Sequence, residues 1–131
     1  MIGYATLGTN DIDRALSFYD GLFAAIGGKR LMQMPDERLL TFYGAGRGQP
    51  MLGIGRPYDG GQATSGNGTM ISLAMDAREQ VDAVYAKAIE LGAADDLRGF
   101  FSPSLAALAL AFWAVSLPWP FFSVIAGHPI L

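Results

Sequence analysis

The sequence predicts an α+β fold in which paired βαβββ modules form a curved mixed sheet around a cup, with a second module that is incomplete or atypical. A strand, a helix and three extended segments follow one another near the N-terminus, and a strand and a helix begin again after a glycine-rich connector. Because a curved four-stranded sheet cannot cover its own concave face, a second unit is expected to enclose it. The predicted organisation is a single domain over 1–131, with module one at 1–56, a connector at 57–68, module two at 69–131 and an atypical tail at 99–131.

The first module begins with a strand over 2–8, in which alternate residues face opposite sides. A helix is predicted over 11–26, since apolar residues recur there at 3.6-residue spacing, Asp11 can cap its first turn and Gly27 can supply a left-handed exit. Turn-forming residues separate the three extended segments, which are predicted at 29–34, 38–43 and 51–56.

The pattern restarts with a strand over 68–75 and a second helix. Asp76 is predicted to cap this helix, with Glu79 completing a capping box, and Gly92 is predicted to end it. This repeat of the opening strand and helix is the signal of internal duplication.

Composition and charge exclude several kinds of function. The net charge is −3 and the basic residues are scattered singly, so no basic stripe is available for nucleic acid. The chain has no cysteine, which excludes disulfides, thiolate metal ligands and a thiol nucleophile. The N-terminus lacks the positive start and the apolar run of a secretory signal, so a cytoplasmic location is expected.

The tail is unlike the rest of the chain, because residues 99–131 carry no charged side chain. Three interpretations remain open: a membrane anchor over 105–126, the missing strands of the second module, or a replacement sequence produced by a frameshift or a rearrangement. Pro118 and Pro120 argue against an uninterrupted anchor helix, and membrane association is the least favoured interpretation. The abrupt loss of charge favours the replacement sequence.

Three stretches carry a resemblance to a known family: IGYATLGTNDIDRALSFYDGLFAAIGGKR, the connector RPYDGGQATSGNGT and the helix REQVDAVYAKAIELGA. Together they resemble the vicinal oxygen chelate superfamily, the group of glyoxalases, bleomycin resistance proteins and extradiol dioxygenases. The resemblance covers residues 1–98. It implies a glyoxalase-like fold, a homodimer, and a metal site with ligands from the first and last strands of each module.

This chain departs from the metal ligands that the resemblance implies. Tyr4 and Met70 stand where the family has first-strand histidines, and Leu52 and Ile54 stand where a glutamate is expected. The lone histidine, His128, has no histidine or carboxylate near it in the sequence. We therefore predict no metal and no cofactor.

The candidate site residues are polar or aromatic side chains expected near the cup. Tyr4 could protonate a substrate oxygen or accept a proton from it, although a strand tyrosine usually packs. The guanidinium groups at the strand ends could hold an anionic ligand, although such groups are more often solvated edge charges. The predicted ligand-binding residues are Thr6, Arg38, Arg56, Tyr58, Met70 and Ser72.

The sequence thus predicts a glyoxalase/bleomycin-resistance-like protein that binds a small organic molecule in a metal-free cup. The alternative is a lyase or isomerase of the glyoxalase type, with Tyr4 as acid or base. A membrane-anchored protein is the third hypothesis. The expected partners are a small-molecule ligand and a second copy of the chain.

Overall fold

The computed structural model describes residues 2–64, 66, 69–93 and 121–126. Within these residues the chain forms strands and helices in the order that the sequence predicts for module one and for the start of module two. The elements are β1 (Tyr4–Gly8), α1 (Ile12–Ala25), β2 (Lys29–Gln33), β3 (Thr41–Gly44), β4 (Met51–Gly55), β5 (Met70–Met75), α2 (Arg78–Glu90) and β6 (Phe121–Ala126).

Module one is a βαβββ unit with a four-stranded sheet in the order β1-β4-β3-β2. Strand β1 runs parallel to β4, and β3 is antiparallel to both β2 and β4. Helix α1 connects β1 to β2 and packs against one face of the sheet, where Tyr43, Leu52 and Ile54 are buried. The predicted α+β class and the glyoxalase-like arrangement of this unit are confirmed.

Helix α1 forms as its sequence pattern predicts, to within one residue at each end. The carboxylate of Asp11 accepts a hydrogen bond from the Arg14 amide at 3.1 Å, which satisfies an amide of the first turn. After the helix, Gly27 has φ +74°, a left-handed conformation that glycine adopts without steric penalty. The buried stripe comprises Ile12, Ala15, Leu16, Phe18, Tyr19, Leu22 and Phe23.

A polar contact fastens α1 to the sheet. The Tyr43 hydroxyl donates a hydrogen bond to Asp20 Oδ1 at 2.9 Å, and Arg30 donates to both oxygens of the same carboxylate, at 3.2 and 2.6 Å. This hydrogen bond to Asp20 raises the pKa of Arg30, and burial raises the pKa of Tyr43. Sequence analysis gives Asp20 no such role, because the contact joins residues that are distant in the chain.

Burial of Tyr19 predicts a loss of stability at high pH. Burial raises the pKa of Tyr19 to about 12, so the folded state favours the neutral phenol relative to the unfolded chain. The contribution of Tyr19 to the free energy of unfolding is fully present below about pH 10, the ordinary pKa of tyrosine. It is lost as the pH rises towards 12. Absorbance at 295 nm should show phenols that ionise late, and Tyr19→Phe should remove the contribution of Tyr19 while that of Tyr43 stays. Ionisation of every tyrosine near pH 10 in the folded protein would contradict the prediction.

The third strand begins later than the predicted segment 38–43, because a turn occupies its first part. The Asp36 carboxylate accepts hydrogen bonds from the Arg38 amide at 3.2 Å and from Arg38 Nε at 2.9 Å. Leu39 has φ 50°, which is left-handed and unusual for a leucine. The predicted strand start is therefore wrong, since the Asp36 side chain holds this stretch in a turn.

The second module begins with β5 and α2, as predicted, but the capping of α2 differs. The residue preceding the helix is Ala77, which supplies no side-chain cap, and the Asp76 amide donates a hydrogen bond to Gln80 Oε1 at 3.0 Å. The predicted capping box of Asp76 and Glu79 is wrong because the helix begins one residue later. That shift makes Gln80 the third residue of the helix, and a side chain at this position can accept a hydrogen bond from an amide that precedes the helix.

Strand β6 pairs antiparallel with β5, with Met75 opposite Phe121 and Met70 opposite Ala126. The segment 121–126 thus forms a strand, as the second interpretation of the tail predicts for it. The rest of the tail, including 105–120 of the proposed anchor, lies outside the described residues. Where the structure describes the chain, it contains no helix with the length and apolar character needed to span a membrane.

The two modules share one core. Met75 and Val84 of the second module are buried in the same cluster as the residues of α1. The helices approach closely at Gly21, where an added Cβ would lie 2.9 Å from Leu91 Cδ1. An alanine at this position would therefore require the end of the Leu91 side chain to shift.

The connector is attached to the start of α1 by the side chain of Asn10. Its Nδ2 donates a hydrogen bond to the Ala63 carbonyl at 3.0 Å, and its Oδ1 accepts one from the Ala63 amide at 2.7 Å. Ala63 is buried, and a Cβ at Gly8 would lie 3.1 Å from the Ala63 Cβ. We call this pair of hydrogen bonds the connector clamp.

Candidate functional site

The face of the four-stranded sheet that is turned away from α1 is the candidate functional site, and we call it the open face. Its assignment follows from strand alternation: Ala5 and Leu7 pack against the core, so Tyr4 and Thr6 lie on the opposite side. The register places Gly53 beside Thr6 and Phe42 on that same side. The open face comprises Tyr4, Thr6, Leu40, Phe42, Met51, Gly53 and Gly55.

At the centre of the open face β4 contributes no side chain, because it has a glycine there, Gly53. A Cβ at Gly53 would lie 3.1 Å from Thr6 Cγ2 and 3.2 Å from both Phe42 Cε1 and Leu40 Cδ1. The neighbouring side chains thus lean over the glycine backbone. Phe42 is nonetheless buried.

Tyr4 is the most exposed side chain of this surface, with 58% of its area accessible. Its ring meets the Phe42 ring edge to face, with the ring centres 5.3 Å apart and the planes at 81°. Within the described part of the chain, neither the Tyr4 hydroxyl nor the Thr6 hydroxyl has a hydrogen-bond partner. Both groups are therefore available to a ligand atom, and no described side chain activates Tyr4 as a base.

The residues predicted from the second module lie on the other sheet. On β5, Ile71 and Leu73 pack towards the core, and Ser72 is exposed on the opposite side. Met70 holds the corresponding register position, opposite Ala126. The predicted lining by Ser72 and Met70 stays a prediction.

The other three predicted residues meet at one end of the four-stranded sheet, beyond Gly55. Arg38 Cζ lies 4.9 Å from the centre of the Tyr58 ring, a cation–π contact. The Arg56 amide donates to the Arg38 carbonyl at 2.9 Å, and Arg56 Nη1 donates to the Glu37 carbonyl at 3.0 Å. Sequence analysis thus selected residues that the fold brings together.

The charge at this end is largely balanced. Arg38 forms an ion pair with Asp36, and this hydrogen bonding lowers the pKa of the Asp36 carboxyl. Arg38 is therefore less suited to an anionic ligand than the sequence indicates, because it already has its counterion, whereas Arg56 donates only to a backbone carbonyl.

The residues of the open face do not fit the metal that the family resemblance implies. The positions compared with a family glutamate, Leu52 and Ile54, are buried beneath α1 and do not reach this face. The β4 positions to compare with the family glutamate therefore shift by one residue, because Met51, Gly53 and Gly55 are the ones on the open face. None of them carries a nitrogen or oxygen ligand of the kind a divalent ion needs.

In the described residues, no three histidine, cysteine, aspartate or glutamate side chains converge. His128 lies outside the described residues. The chemistry that the open face offers is apolar contact and hydrogen bonding.

Among the residues of this face that the sequence analysis does not select are Leu40 and Phe42. Phe42 was predicted to lie in a strand, but its contact with Tyr4 depends on the pairing of β3, β4 and β1. The alternation of glycines in MLGIG was the available signal, since glycine inside a strand often marks close approach by a neighbour.

Comparison with known proteins identifies the family. No family model and no curated protein sequence matches the chain. A solved structure, a glyoxalase/bleomycin resistance protein from Albidiferax ferrireducens T118, is 30% identical in sequence, with a TM-score of 0.59. The match covers 70% of this chain and 72% of that one. With the βαβββ unit described above, it shows that the chain belongs to the glyoxalase/bleomycin resistance protein family.

Proposed function

We propose that this protein binds a small organic molecule on the open face and that it does so without a metal ion. The observation that carries the proposal is Tyr4, a largely exposed aromatic side chain whose hydroxyl has no partner in the described residues. Its ring lies against Phe42, which together with Thr6 and Leu40 packs over the bare backbone at Gly53. Ligand sites in proteins commonly combine apolar surface with a few polar groups that fix orientation.

The same geometry favours binding over catalysis. A phenol can act as a general base only when a neighbouring group takes up its own proton. A hydroxyl can act as a nucleophile only with an adjacent base. Thr6 and Phe42 provide neither. A lyase or isomerase activity remains the alternative function, with Tyr4 as its acid or base. A homodimer and a cytoplasmic location likewise stay predictions.

The proposal is tested by titrating the protein with N-phenyl-1-naphthylamine, an uncharged dye whose fluorescence rises in apolar sites. We expect saturable binding to the wild type and about tenfold weaker binding to Tyr4→Ala, a change of about 1.4 kcal/mol. Tyr85→Ala is the matched control, because it removes a partly exposed tyrosine from α2. Binding that is absent, or equal in wild type and Tyr4→Ala, would contradict the proposal.

The alternative function requires a turnover assay on the same variants. The adduct of an α-oxo aldehyde with a thiol is the substrate class that the glyoxalase resemblance suggests. Conversion of this adduct by the metal-free wild type, and its loss in Tyr4→Phe, would favour the lyase or isomerase. The binding proposal predicts no conversion by either protein.

A further inference from the structure

Four residues form a row across the end of the open face at which β1 and β4 begin, and we call this row the Tyr4 end. Tyr4 lies opposite Met51 on the neighbouring strand. A Cβ at Gly44 would lie 3.5 Å from Met51 Cγ, and Lys29 lies opposite Gly44 on β2. Lys29 is on this side of the sheet because the next residue, Arg30, binds a carboxylate of α1 on the other side. The row thus places a phenol, a thioether and an ammonium group along one border of the open face.

The turn between β3 and β4 adds a second cation next to this row. It connects Gly44 to Met51, the two central residues of the row. The Gln49 amide donates a hydrogen bond to the Gly46 carbonyl at 3.4 Å, which closes a β-turn. Arg47 is the first central residue of that turn, and its side chain is exposed. The turn therefore presents a guanidinium group at the same end of the sheet as Tyr4.

Both cations of the Tyr4 end are available to a ligand. Lys29 and Arg47 are exposed, and neither takes part in an ion pair or a side-chain hydrogen bond within the described part of the chain. The acidic side chain nearest to them in the topology, Asp20, is already bound to Arg30 and Tyr43. An anion at this end would therefore displace no existing partner of Lys29 or Arg47.

The charges of residues 2–64 are distributed unevenly between the two ends of the sheet. The Tyr4 end has three basic side chains and one acidic side chain: Lys29, Arg30, Arg47 and Asp20. At the opposite end, where β4 finishes and α1 begins, the balance is reversed. The acidic side chains there are Asp11, Asp13, Asp36, Glu37 and Asp59, against Arg14, Arg38 and Arg56. An anion is thus attracted to the Tyr4 end, whereas the opposite end is less favourable for it.

We infer that the ligand of the open face is a small organic anion whose apolar part contacts Tyr4 and Phe42 and whose oxyanion group binds Arg47 and Lys29. This inference rests on the proposed function and specifies its ligand class. A guanidinium group presents paired donors that match the oxygen atoms of a carboxylate or a phosphate. The argument for the occupant is charge complementarity, because the free cations and the exposed Tyr4 ring lie at one end of the same face.

The test compares 2-naphthoate with its uncharged carboxamide, 2-naphthamide, as competitors of bound N-phenyl-1-naphthylamine. The two compounds share their ring system and differ in the charge of one group. We expect the wild type to bind the carboxylate about fivefold more tightly at low ionic strength, the upper end of what exposed ion pairs supply. The preference should disappear at about 1 M salt, where the Debye length is about 3 Å.

The outcomes separate this inference from the proposed function. A carboxylate that binds no more tightly than the carboxamide, or that displaces no dye, would overturn the inference and leave the binding function standing. Failure of the dye to bind, or an affinity for the dye that is unchanged in Tyr4→Ala, would overturn the proposed function as well.

Charge-removing variants locate the oxyanion site. Arg47→Gln and Lys29→Gln should each lower the ratio of the two affinities. Arg14→Gln is the matched control, because it removes the same charge from an exposed arginine at the opposite end, and it should keep the preference for the carboxylate. An equal loss in Arg14→Gln and Arg47→Gln would show that net charge alone sets the preference. A loss confined to Arg56→Gln would place the oxyanion at the opposite end, and either result would overturn the inference.

Discussion

Leu22→Ala is expected to lower the free energy of unfolding by about 2–5 kcal/mol, the range for removing a buried leucine side chain. Leu22 has no exposed surface and lies in the core cluster that α1 forms with the sheet and with α2. Alanine is a good helix former, so the loss would come from the cavity and not from helix propensity. Urea denaturation followed by circular dichroism measures the change.

Ile2→Ala is the matched control for this prediction. It also removes an aliphatic side chain, but Ile2 is 76% exposed. Its effect should stay within about 0.5 kcal/mol. A loss at Leu22 no larger than the loss at Ile2 would contradict the packed core described above.

Gly55→Ala is expected to destabilise the protein by about 1–3 kcal/mol, because the site has no room for a methyl group. The added Cβ would lie 2.9 Å from the Leu40 Cα and 3.1 Å from the Arg38 carbonyl oxygen, and both of these are backbone atoms. Relief requires the 38–40 segment to move away from β4. The variant should therefore also weaken dye binding, since Leu40 belongs to the open face.

Gly46→Ala separates this clash from the general effect of replacing a glycine. Nothing lies within 4 Å of a Cβ built at Gly46, and its φ is not left-handed. Alanine at such a position stabilises by about 0.4–1 kcal/mol, because it restricts the unfolded chain. Thermal unfolding of the two variants should thus shift in opposite directions. A shift in the same direction would argue against the close approach at Gly55.

Much of module one could be predicted from the sequence because its signals are local. The apolar spacing of α1, its Asp11 cap and the glycine that follows lie within one stretch of chain, and the helix ends where they indicate. The start of β3 could not be predicted in this way. There the competing signal was the Asp36 side chain, which binds the Arg38 amide and holds a turn in a stretch with strand-like composition.

The candidate site was only partly predictable, for a related reason. Tyr4 and Thr6 share a face by simple alternation, and Arg38, Arg56 and Tyr58 meet where β4 ends. That Leu52 and Ile54 are buried, and that Phe42 contacts Tyr4, depends on the register between strands. A shift of one residue moves every side chain of a strand to the opposite face, and the alternation of glycines in MLGIG is only a local signal of which face of β4 meets the core.

The connector clamp affects the order in which the contacts of α1 can form during synthesis. Asn10 and Ala63 are 53 residues apart, and a ribosome adds about 5–20 residues per second, so Ala63 follows about 3–10 s after Asn10. Until then the Asn10 amide can bond only to water or to other parts of the nascent chain. Helix α1 can form early from its own signals, whereas its attachment to the connector waits for later synthesis. A ribosome that stalls before Ala63 would therefore leave the N-terminal end of α1 without this long-range contact.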